Sequence, residues 1–184
     1  VSNLLRLAQG VDVRPALAEL AANPDLWKLD TVRQSYPGSA HHDTQVIHLR
    51  GCADVNEYTA FNDIVAVDFP EGDLLPECCR LMYGIAGFLG TGRLGRVMVV
   101  TLKPGGTIDP HIDEGAYAEF YTRFHLSLQS ADGNTYTVDG ETAYMKPGEL
   151  WWFDHRKTHT VANASEVERI HLILDCKCPR PSTP

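Results

Sequence analysis

The chain has 184 residues, 43% of them hydrophobic and 22% charged, enough to bury a real core within one folded domain. Asp and Glu outnumber Lys and Arg by 24 to 16, for a formal net charge of −8. No basic stripe offers a footprint for nucleic acid or an anionic membrane, and no apolar run reaches the roughly 18 residues of a spanning helix.

In chain order, Pro15–Ala22 reads as a short Ala-rich helix and Gln45–Leu49 as a strand. Ile64–Phe69 is an apolar strand candidate. In Pro76–Leu89, Cys78, Leu81, Met82, Ile85 and Phe88 or Leu89 recur at helical spacing, between Pro76 at the start and Gly90 at the end. This is a core-facing support helix. From Arg96 onward the pattern changes to short strands: Val97–Lys103, Tyr121–Gln129, Tyr136–Val138, Thr142–Met145, Leu150–Phe153, Thr158–Val161 and Arg169–Asp175. Gly-, Pro- and Asn-rich turns punctuate them. That rhythm predicts a mainly β protein, a jelly-roll or cupin-like barrel supported by N-terminal helices. One domain is expected over residues 1–178, with mixed support at 1–92 and the barrel at 93–178, followed by a disordered tail at 179–184. Five cysteines, Cys52, Cys78, Cys79, Cys176 and Cys178, form no paired CxxC knuckles. They read as reduced side chains of a cytoplasmic protein, and Cys176-Lys177-Cys178 is only a weak metal signal.

The chemistry concentrates in the barrel. In Asp109-Pro110-His111-Ile112-Asp113, strand alternation sends His111 and Asp113 to one face, so one imidazole and one carboxylate can meet one metal. A second His on a later strand would complete a 2-His-1-carboxylate triad, which leaves positions open for substrates and O₂ and suits Fe(II). His41-His42-Asp43 has the same spacing, but lies outside the strand-rich zone and reads as surface or supporting polar residues. His155, His159 and His171 compete for the third position. Ten residues past His159 stands Arg169, on the strand face shared with His171 and Ile173. An inward Arg in a small barrel needs an anionic partner, and the fork of a guanidinium suits a dicarboxylate co-substrate. This offset favours His159. Arg123, His125 and Ser127 form another one-face set facing Phe124, Leu126 and Leu128 on the reverse. Whether that polar face lines the barrel is left open by alternation alone.

Taken together, PHID at 110–113, RFHLSL at 123–128, PGELWWFD at 147–154, HTVAN at 159–163 and RIHLILD at 169–175 resemble the aspartyl/asparaginyl β-hydroxylase family of 2-oxoglutarate-dependent oxygenases. The likeness is to its bacterial branch, which includes free proline hydroxylases, and it covers roughly residues 95–176. The resemblance implies a double-stranded β-helix with Fe(II) bound by His111, Asp113 and His159. It also implies Arg169 on the distal carboxylate of 2-oxoglutarate, and Arg123 and His125 contacting co-substrate or substrate carboxylates. The implied reaction is O₂-dependent hydroxylation of a C–H bond in an amino acid, a peptide or protein side chain, or a related carboxylate-bearing molecule. The animal aspartyl hydroxylases lack the carboxylate ligand, which this chain has in Asp113. The rival reading is a cupin-like metal isomerase or binding module, which would keep the three ligands but have no use for an inward Arg169. The segment Asp113–Tyr121 is a candidate lid or specificity loop.

Overall fold

A computed structural model describes residues 2–181. The disorder expected for the tail falls partly on 182–184, which lie outside the described residues. The elements run β1 (Leu4–Ala8), α1 (Arg14–Ala22), α2 (Val32–Ser35), β2 (Thr44–Gly51), α3 (Glu57–Asn62), β3 (Val67–Asp68), α4 (Pro76–Phe88), β4 (Leu94–Leu102), β5 (Thr107–His111), α5 (Gly115–Phe120), β6 (Thr122–Gln129), β7 (Asn134–Val138), β8 (Glu141–Ala143), β9 (Leu150–Phe153), β10 (His159–Asn163) and β11 (Arg169–Cys176). Their antiparallel pairing makes a seven-stranded sheet in the order β1-β9-β6-β11-β4-β2-β3 and a four-stranded sheet in the order β5-β10-β7-β8. The architecture is the expected double-stranded β-helix.

Strand alternation sorts the larger sheet into two unlike faces. Phe124, Leu126 and Leu128 of β6, Ile170, Leu172 and Leu174 of β11, and Val97 and Val99 of β4 pack on α1 and α4 through Ala16, Leu20, Cys78, Leu81, Met82 and Ile85. Fully burying one such Leu contributes about 1.5–3 kcal/mol, so this apolar layer fixes which way the sheet faces. The reverse face is then forced inward, where Leu4, Leu102 and Phe153 meet Ile108, Tyr136, Val138 and Val161 of the smaller sheet. The question left open by alternation is thereby answered: Arg123, His125 and Ser127, with Arg169, His171, Ile173 and Asp175, line the space between the sheets.

The structure departs from the expected elements in three places. Leu4–Ala8, where no strand was expected, forms β1 and pairs with β9, while the strand expected at Gln45–Leu49 is β2, paired with β4. The apolar run at Ile64–Phe69 shortens to two exposed residues, Val67 and Asp68, held only to Arg50 and Gly51 at the sheet edge. The candidate lid at Asp113–Tyr121 is mostly the helix α5, whose Tyr117 and Ala118 are buried. Of the helix positions expected to face the core, Phe88 is exposed, while Leu89 packs against it.

Candidate metal centre

The centre rests on one cross-strand pair. β10 runs antiparallel to β5, with His159 opposite His111, and their ring centroids lie 4.2 Å apart. The Nδ1 of His111 lies 2.8 Å from the carbonyl oxygen of Asp109, and the Nδ1 of His159 lies 2.9 Å from that of Lys157. Only a protonated Nδ1 can donate to a carbonyl, so both rings are fixed in the tautomer that leaves the Nε2 lone pair free. Burial holds His159 at a pKa of about 4, which keeps it neutral at physiological pH.

Asp113 arrives differently from the expectation. β5 ends at His111, so Asp113 is not the next inward position of a strand. It lies in the turn leading to α5, held by its backbone N–H donating to the carbonyl of His155 at 3.0 Å. Gly115 makes the turn: its φ is +90°, and a Cβ there would lie 2.5 Å from the carbonyl oxygen of Phe61, so no larger residue fits. One carboxylate oxygen of Asp113 accepts from Arg123 at 2.7 Å, and the other lies 3.8 Å from the Nε2 of His111. Burial, the largest single effect, raises this carboxyl, but Arg123 and the surrounding histidines together outweigh it and hold the pKa at about 2. Donor atoms of His111, Asp113 and His159 all lie within 4.8 Å of one another, the one such group among the described residues. Two imidazole Nε2 atoms and one free carboxylate oxygen fit a divalent transition metal on one face.

The other candidates go elsewhere. The Nε2 of His155 contacts the carbonyl of Ala118 at 3.0 Å, and the buried His171 contacts Arg169 and His125. His42 is half-exposed beside Asp43 and Asp109. Asp43 accepts from the backbone N–H of Thr107 and pairs with Lys103, which anchors the start of β5. His41 is closer to the centre than its reading as a supporting polar residue required, with its ring centroid 4.7 Å from that of His111. Trp152 is buried in the core and Trp151 donates to Glu149.

Around the centre lies a cavity partly open to solvent. Its wall includes Phe153, Tyr136, Arg123, His125, Arg169 and Arg33. Arg169 is 2% exposed; one guanidinium nitrogen lies 2.7 Å from the Nδ1 of His171, and the group sits 5.6 Å from the Tyr136 ring. Among the described residues it has no carboxylate partner, and burial lowers its pKa to about 10, so it remains a buried cation. Arg123 differs from the expected carboxylate receptor for a ligand, because its fork is occupied by the chain itself: Asp175 accepts from Nε and the second amino group at 2.8 and 2.9 Å, and Asp113 from the first. His125 is buried with no partner for Nε2 among the described residues. Sequence reasoning missed Arg33, Asp175 and Tyr136. Asp175 was within reach, since it continues the Arg169–His171–Ile173 alternation and stands opposite Arg123 in the register.

Three comparisons bear on this geometry. Residues 68–179 match the family described as aspartyl/asparaginyl beta-hydroxylase. L-proline cis-4-hydroxylase of Rhizobium meliloti (strain 1021) is 32% identical over 77 residues, which is 42% of this chain but only 28% of that protein's length. Among solved structures, a 2OG-Fe(II) oxygenase family oxidoreductase from Burkholderia pseudomallei superposes with a TM-score of 0.59 at 17% identity, over 94% of this chain and 83% of that one. A Pseudomonas putida prolyl-4-hydroxylase does so with a TM-score of 0.54 at 19% identity, over 97% and 94%. At these identities the structures speak for the fold.

Proposed function

Because the chain belongs to the aspartyl/asparaginyl β-hydroxylase family, we propose that it is an Fe(II)- and 2-oxoglutarate-dependent dioxygenase that hydroxylates a small amino acid, with an L-proline-like molecule the first candidate. The observation that carries this reading is the placement of an uncompensated, buried Arg169 on the same cavity wall as a ready-made His-Asp-His donor set. A metal isomerase would have no use for that cation, whereas a dicarboxylate co-substrate neutralises it through charge-assisted hydrogen bonds.

His111, Asp113 and His159 would hold the metal, Arg169 the far carboxylate of 2-oxoglutarate, and His125 its near end. Bound there, iron supplies O₂ activation coupled to decarboxylation of 2-oxoglutarate. The chain's own part is positioning. Carbonyls of Asp109 and Lys157 keep both imidazoles turned to the metal, the outer shell such ligands require. Arg123, itself clamped by Asp175, occupies one oxygen of Asp113 and leaves the other for coordination. Phe153, Tyr136 and Val161 line the cavity with largely apolar surface that would limit water at the reacting face. Five free cysteines fit a cytoplasmic setting, and no helix of the described residues is long and apolar enough to cross a membrane.

The test is succinate formation from 2-oxoglutarate with Fe(II), O₂ and L-proline or another free amino acid. The wild type should form succinate, and His159→Ala should form none above the protein-free background. Succinate formation retained at wild-type rate in His159→Ala would overturn the proposal.

A further inference from the structure

Arg33 was invisible to sequence reasoning and, among the described residues, has no partner that explains it. It projects from α2, a single helical turn, and lines the same cavity as His111, His159 and Arg169. Among the described residues its one side-chain hydrogen-bond contact is a 3.1 Å approach to the sulfur of Met98, a weak acceptor that leaves most of the guanidinium's donors unused. It makes no ion pair among the described residues. The segment carrying it is nonetheless pinned: Gln34 donates to the carbonyl of Thr44 at 2.7 Å, Ser39 to that of Arg33 at 2.5 Å, and the N–H of Asp109 to that of Ala40 at 2.9 Å. A floppy surface arginine needs none of this. Burial and the nearby Arg123 lower its pKa to about 10, so it is charged at neutral pH.

Charge balance says what is missing. If the proposed reaction is right, the positive charges of the metal, Arg123 and Arg169 are matched by Asp113, Asp175 and the two carboxylates of 2-oxoglutarate. Arg33 is the cavity cation left over. An unpaired cation in a partly water-excluded site strongly favours an anion, and a planar guanidinium favours a carboxylate. We infer that Arg33 receives the carboxylate of the primary substrate and is the residue that restricts the enzyme to carboxylate-bearing substrates. This rests on the oxygenase reading, since the balance counts its metal and co-substrate. The carboxylate can belong to a free amino acid or to an acidic side chain in a peptide, and the chemistry at Arg33 is the same.

The experiment is calorimetric binding to protein loaded with Mn(II) and 2-oxoglutarate without O₂, so that no turnover occurs. The probes are L-proline against L-prolinamide, and a blocked aspartyl peptide against its asparaginyl counterpart. In the wild type, one carboxylate probe should bind at least about tenfold more tightly than its amide, and which one binds identifies the source. In Arg33→Gln that probe should weaken by about tenfold to hundredfold and lose its advantage over the amide. Arg33→Lys should recover part of it, and the affinity for 2-oxoglutarate should not change. A carboxylate preference that survives Arg33→Gln, a loss of 2-oxoglutarate affinity in its place, or failure of both carboxylate probes to bind would each overturn the inference. Failure of the wild type to bind 2-oxoglutarate would overturn the oxygenase reading and this inference with it, so the two failures are distinguishable.

Discussion

Arg123 lies between two carboxylates with different jobs. Asp175 is 1% exposed and takes two of the guanidinium's donors, while the Tyr117 hydroxyl donates to it at 3.0 Å. Asp113 takes one donor and keeps an oxygen free. Asp175 is thus the structural counter-ion that lets Arg123 steer Asp113. Removing Asp175 leaves Arg123 with Asp113 alone and two of its buried donors unmet, at a cost of up to about 3–5 kcal/mol. Asp175→Ala should therefore destabilise the metal-free protein by about that amount in urea unfolding; a loss below about 1 kcal/mol would mean that the pair is solvent-screened and carries little. At this scale the sequence was uneven. The grouping of His111, Asp113 and His159, with Arg169 on the same cavity, was legible because these residue types and their spacing are distinctive. Arg33 was not, because a four-residue helix before a Pro-Gly turn has no periodicity from which to read a direction.

Among the elements, β4, β6, β9 and β11 were readable from their alternation and from the turn residues that bound them. β5 was readable only in part. The HxD spacing placed Asp113 on a strand, yet pairing with β10 stops at the His111–His159 pair, and Asp113 is positioned instead by the backbone of His155 and the left-handed Gly115. The same-face conclusion survives for a different reason, a turn replacing a pleat. β1 was missed because Leu4-Leu5-Arg6-Leu7 does not alternate cleanly: Leu4 packs between the sheets, whereas Leu5 and Leu7 lie against the helical layer. α5 was missed because Asp113–Tyr121, between two barrel strands, reads as a lid or specificity loop rather than as a helix. The two-residue β3 shows the opposite failure, in which an apolar run lacks a neighbour to pair with along most of its length.

The molecule as a whole stores its site in a sandwich of unlike layers, with helices on one face of the larger sheet and a polar, histidine-rich seam on the other. Burial pushes His41 down to about 2 and His159 to about 4, and also lowers His125, His155 and His171. In the unfolded chain each titrates near 6.5. As pH falls below that value the unfolded chain takes up protons that the folded one refuses, so stability is present above about pH 6.5 and drains away as pH drops towards the folded values. The limit is about 1.4 kcal/mol per group per pH unit. The urea midpoint of the metal-free protein should fall steadily from pH 7 to pH 5; a flat or rising midpoint over that range would contradict the buried, neutral histidine seam.

The central claim is that these three side chains hold one metal ion, and equilibrium binding of Fe(II) under anaerobic conditions, with stoichiometry read directly, tests it. The wild type should bind one ion per chain. His111→Ala, Asp113→Ala and His159→Ala, each checked for native circular dichroism, should lose about tenfold to hundredfold or more in affinity, whereas His155→Ala and His42→Ala should keep the ion. One tightly held ion in all three folded ligand variants would contradict the account.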